Sequence, residues 1–120
     1  MFRLLSAVSF LFLFACQPGT PPAEQVAGDW QGARWEANGN PVTDDPTRVV
    51  FMFQPPDRYA AVFGNQQEAG VYRVNDGRLY TQADGQAQIM VRFDRPDPDT
   101  LTLQMNRGGR METLVLGRRK

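Results

Sequence analysis

The feature that most limits what this chain can become is the rhythm of its apolar runs. From Ala27 onward, short stretches rich in Val, Phe, Tyr, Leu and Thr recur about every ten residues, each closed by turn-forming residues. No helical periodicity persists beyond about two turns. Such spacing predicts short strands at roughly 28–36, 47–54, 58–64, 70–75, 78–83, 86–94, 100–106 and 110–118. The turns between them are chemically explicit. Asn75-Asp76-Gly77, Asp84-Gly85 and Gly108-Gly109 supply the positive φ of tight hairpins. Pro55-Pro56-Asp57 fixes φ and offers an Asx cap. Asp94-Arg95-Pro96-Asp97-Pro98-Asp99 is expected to be a turn, because two of its residues have no N–H to give a ladder.

Alternation predicts which side chains go inside. Ile89, Val91 and Phe93 share one face, Leu101, Leu103 and Met105 another, and Tyr72 goes with Val74. Phe51, Phe53, Tyr59 and Phe63 are expected in the same interior. No helix-length segment separates one strand from the next, so sequential antiparallel pairing is the simplest topology. The expected fold is all-β: a small antiparallel up-and-down meander closing into a roughly eight-stranded barrel, whose closure removes sheet edges. With 120 residues the chain is one domain.

The first fifteen residues read as an address. Arg3 precedes an uncharged run from Leu4 to Ala15, which as a helix reaches about 18 Å. A hydrocarbon core is about 30 Å thick, so this is a signal-peptide hydrophobic region and not a span. Leu13-Phe14-Ala15-Cys16 resembles a bacterial lipobox, which implies that Cys16 is acylated and becomes the mature N-terminus. Cys16 is the sole cysteine, so it has no disulfide partner within the chain. Two acyl chains anchor stably where one does not. Residues 16–26, the lipidated Cys and three prolines with little that is apolar, are expected to form an extended tether, leaving 27–120 as the barrel domain. Gln17, where the enterobacterial sorting rule reads Asp as retention, resembles an outer-membrane signal facing the periplasm.

Gly28-Asp29-Trp30 opens the first strand and Leu114-Val115-Leu116-Gly117-Arg118 closes the last. Between them lie Asp57-Arg58-Tyr59, Gly70-Val71-Tyr72-Arg73-Val74 and Asp99-Thr100-Leu101-Thr102-Leu103. This pattern resembles the small lipocalin-like, calycin-type lipoproteins of bacteria over about residues 28–118. The resemblance implies that Trp30 plugs the barrel with Arg118 packed over it.

Composition removes most chemistry. The chain has no His, its serines are Ser6 and Ser9, and its one Lys is Lys120. Serine or cysteine nucleophiles with a His base are therefore unavailable, as are His-based or soft metal sites. Asp94, Asp97 and Asp99 lack the glycine and terminal Glu of a calcium loop. Asp44-Asp45 with Glu36 make a poor carboxylate pair for glycoside chemistry. No Gly-rich loop opens a helix, so phosphate cradling has no support. With 13 basic and 13 acidic side chains, nothing marks a nucleic-acid binder. No catalytic role, metal or cofactor is expected.

Two surfaces remain. Trp35 falls on the strand face opposite Trp30 unless a bulge at Gly32 shifts the register, and outward beside Arg34 it would be a recognition surface. A turn centred on Pro56 sets Val50 opposite Val62 and Met52 opposite Ala60. These then form an apolar set facing away from Phe51 and Phe53, either covered by residues 37–46 or open to a partner. The expected role is a binding module for a small apolar ligand, with Phe51, Phe53, Tyr59, Phe63, Tyr72, Phe93, Leu103 and Met105 lining or filling the interior. The alternative is a protein-interaction lipoprotein, an envelope assembly accessory or an inhibitor of a cell-wall-active enzyme, which resembles periplasmic lysozyme inhibitors in plan.

Overall fold

The computed structural model describes residues 21–119, so the readings of residues 1–15 and of Cys16 lie outside it. Nine strands follow in chain order: β1 (Gly28–Ala37), β2 (Asn40–Pro41), β3 (Val49–Gln54), β4 (Arg58–Phe63), β5 (Gln66–Asn75), β6 (Arg78–Ala83), β7 (Ile89–Asp97), β8 (Thr100–Arg107) and β9 (Arg110–Arg118). All but the two-residue β2 form one antiparallel meander in sequence order, and β9 returns to pair with β1. The eight-stranded up-and-down barrel is closed.

The alternation of the sequence becomes sidedness. Val49, Phe51, Phe53, Tyr59, Ala61, Tyr72, Val74, Leu79, Leu101, Leu103, Leu114 and Leu116 are buried in one continuous core. Asp29, Arg58, Arg73, Arg92 and Gln104 are exposed on the outer face. A charged exterior around an apolar interior is the reverse of a membrane-spanning barrel, whose outer band must be apolar. Among the described residues the core cluster runs from Ala23 to Leu116, and all eight barrel strands lie within Gly28–Arg118.

Four boundaries differ from expectation. Residues 22–26 are not a solvated tether: they form a 3-10 helix (Pro22–Val26) seated on the barrel, with Val26 fully buried. Val26 packs in the core and the backbone of this helix is tied to it, which no local composition would reveal. β5 starts at Gln66 rather than near 70, and its residues 66–71 pair with the whole of β4. β7 is shifted to Ile89–Asp97, so the acidic segment is strand as far as Asp97. A register shift between Asp94 and Asp97 places Pro96 where the ladder is already broken, which removes the objection to proline there. Finally, residues 46–48 are a second 3-10 helix (Pro46–Arg48) capped by Asp45, whose side chain accepts from Thr47 N at 2.9 Å and Thr47 Oγ1 at 2.6 Å. These bonds hold the Asp45 carboxyl below the ordinary range.

Candidate functional site: the open end of the barrel

The two ends of the barrel are built differently. At one end Trp30 is fully buried and its Nε1 donates to the Val26 carbonyl at 3.0 Å. Two guanidiniums pack against its ring, Arg118 at 4.4 Å and Arg95 at 4.8 Å from the centroid. Arg95 Nη1 donates to Gln25 O at 2.7 Å, and Arg118 Nη2 donates to Pro98 O at 3.0 Å. Burial, and then the charge of Arg118, pulls Arg95 below the ordinary guanidinium value. Gly28 has φ of +126°, and a Cβ there would collide with Arg118 Nη1, so the Gly-x-Trp opening follows from the plug itself. The Tyr72 hydroxyl donates to Ala23 O at 2.9 Å, which fastens the first 3-10 helix. Burial, with Glu24 and Asp57 nearby, pushes the Tyr72 phenol up to about 12. This end is sealed.

The other end is open. A cavity of about 480 Å³ lies inside it, walled by Trp35, Phe51, Phe63, Leu79, Val91, Leu103, Met105 and Leu114. Ligand sites commonly span about 300–1,000 Å³ and are mostly apolar with a few placed polar groups. Here the polar wall groups are Glu68 and Thr81, and Gln66, Asn106 and Arg107 also border the cavity. Ile89 and Met90, also at the cavity, are 58% and 46% exposed. Glu68 faces inward because it pairs with buried Ala61, and the Tyr59 hydroxyl donates to its Oε2. Burial and the neighbouring Glu68 raise the Tyr59 phenol above its ordinary value.

The expected interior residues therefore divide. Phe51, Phe63, Leu103 and Met105 line the cavity. Phe53, Tyr59 and Tyr72 do not; they fill the core in an aromatic cluster in which Phe53 meets Tyr72 edge-on at 5.1 Å and Tyr59 at 6.2 Å. Phe93 is half-buried against that core.

The outward Trp35–Arg34 pair does not form. β1 carries a bulge between Gly32 and Arg34, so Trp35 turns to the interior face and packs against the core. Gly32 lies against the second 3-10 helix so closely that a Cβ would strike the Pro46 carbonyl. Arg34 is left outside, 3.4 Å from Glu36. The Trp35 Nε1 is buried without a hydrogen-bond partner among the described residues. Asp44 and Asp45 border a shallower hollow beside Trp35, so the 42–48 loop stands at the mouth.

On the outer face, Val50 pairs with Val62 and Met52 with Ala60. All four are half-buried, and Val71, beyond Ala60 and Ala69 on the same face, is 40% exposed. Asp97 spends its oxygens inside its own turn, on Asp99 N at 2.8 Å and Thr100 Oγ1 at 3.0 Å.

Three interior charges escaped the sequence reading: Glu68, Arg95 and Glu112. Glu112 is 5% exposed near the mouth, 3.4 Å from Arg107 and 4.0 Å from Arg110. Each continues an inward alternation, Glu68 from Tyr72, Arg95 from Phe93 and Glu112 from Leu114. No family model, no curated protein and no solved structure matches the chain.

Proposed function

We propose that this is a non-catalytic, lipid-anchored envelope protein whose barrel takes a small apolar ligand through its open end, without a cofactor and without nucleic acid. The observation that carries the reading is the 480 Å³ cavity, whose apolar wall includes a tryptophan with a buried, unpartnered Nε1. Both support an under-packed end in preference to a closely filled one. The lipobox-like Leu13-Phe14-Ala15-Cys16 supports attachment at Cys16, and Gln17 supports an outer-membrane position facing the periplasm.

Fluorescence titration with the neutral probe N-phenyl-1-naphthylamine tests the cavity, using the chain from residue 17 onward. Saturable one-to-one binding, abolished by Met105→Trp, is expected; that substitution fills the cavity and should alter stability by only about 1–3 kcal/mol. A linear, unsaturable signal would contradict the reading. Attachment is tested separately: palmitate fed to expressing cells should label the full chain and not its Cys16→Ser variant.

The half-buried apolar face of Val50, Met52, Ala60 and Val62 favours a second reading, an envelope protein partner docked on the β3–β4 hairpin. A Val50→Asp, Met52→Asp variant that folds and retains every envelope cross-link of the native protein would remove it.

A further inference from the structure

We propose that the ligand of the open end is a small amphiphile with a cationic amine head, held by the Glu68 carboxylate, and this rests on the apolar-cavity reading above. Among the described residues Glu68 is the one acidic side chain lining a cavity walled mainly by aromatic and aliphatic groups, with Thr81, Gln66, Asn106 and Arg107 as its other polar members. One of its oxygens accepts from the Tyr59 hydroxyl, and among the described residues no cation stands within ion-pair distance of it. The guanidinium that borders the cavity, Arg107, pairs with Glu112 at 3.4 Å. The carboxylate therefore has acceptor capacity left over on a half-buried surface, where charge-assisted hydrogen bonds are stronger than in water.

The geometry also orients the carboxylate. Glu68 lies on rigid β5 between β4 and the open side of the cavity, and Tyr59 reaches across Gly70, its cross-strand neighbour, to hold one oxygen in place. An ammonium entering with its apolar body among Phe51, Phe63, Leu79 and Met105 would meet that fixed anion. A carboxylate ligand would meet like charge, and an alcohol would donate one hydrogen bond without bringing an opposite charge. The selectivity order is thus amine, then alcohol, then carboxylate for one and the same chain length.

Isothermal titration calorimetry at pH 7 with decylamine, decanol and decanoate tests this on the chain from residue 17 onward. Decylamine should bind about tenfold or more tighter than decanol, with decanoate weakest. Glu68→Gln should abolish the amine advantage while weakening decanol far less than decylamine, and an unchanged far-UV circular dichroism spectrum reports separately that the variant is folded. Affinities within about threefold for all three probes on the native chain, or an amine advantage that survives Glu68→Gln, would overturn the assignment while leaving the cavity reading intact. Binding of none of the three would overturn both.

Discussion

The two tryptophans of this protein occupy opposite ends of one barrel and live under opposite conditions. Trp30 has a satisfied Nε1, two guanidiniums against its ring and no exposed surface. Trp35 has a buried Nε1 with no partner and a cavity beside it. They lie five positions apart on the same strand, yet the bulge after Gly32 turns both to the interior. The difference teaches that a 90-residue barrel can concentrate its stability in one half and leave the other half under-packed. Closure at Trp30 is achieved with backbone carbonyls of the N-terminal segment and two arginines, which releases the aromatic residues near the mouth from having to meet at the axis.

That contrast predicts unequal costs. Trp30→Ala should lower stability by about 3–5 kcal/mol in urea denaturation, since it removes a fully buried ring and strands both guanidiniums. Trp35→Ala should cost clearly less, and equal losses would erase the distinction between the ends. Val26→Ala comes next, at about 2 kcal/mol for a fully buried side chain, although it lies outside the eight strands. A smaller value would return residues 22–26 to the role of a spacer.

Alkaline pH sharpens the comparison from another side. The Tyr72 phenol sits at about 12 in the folded chain against 10.0 when free, so folding favours its neutral form. Its contribution is complete below pH 10 and is lost as pH rises towards 12, where the unfolded chain gives up its proton first. The urea midpoint should fall across that window, and Tyr72→Phe should flatten the fall. At the small end, Arg34→Ala should change stability by less than about 0.5 kcal/mol, because its ion pair with Glu36 is exposed.

How much of this was legible follows one rule. The eight barrel strands, the hairpin turns at Asp76-Gly77, Asp84-Gly85 and Gly108-Gly109, and the Val50–Val62 register were readable because period-two alternation and Gly, Asn or Asp turns are local signals. The same alternation, carried one step of two residues beyond Gly70 and beyond Phe93, would have placed Glu68 and Arg95 inside. It was stopped by polarity in one case and by two prolines in the other. Gly32 allowed a bulge without requiring it, and the close approach of the Pro46 backbone, fourteen positions away, is not written beside it; nor is the burial of Val26 against Trp30 and Tyr72. Contacts of that kind leave no pattern in either partner alone. Nor does the division of the aromatic residues between plug and cavity, since Phe51 and Phe53 are indistinguishable by alternation and differ only in which end of the barrel they reach.

The two indole N–H resonances in a ¹H–¹⁵N spectrum test the central asymmetry directly, because the chain contains two tryptophans and no more. On titration with decylamine the Trp35 indole signal should move and saturate, while the Trp30 signal stays fixed and its N–H remains protected from solvent exchange. Movement of both signals, or of the Trp30 signal alone, would contradict a barrel sealed at one end and receptive at the other.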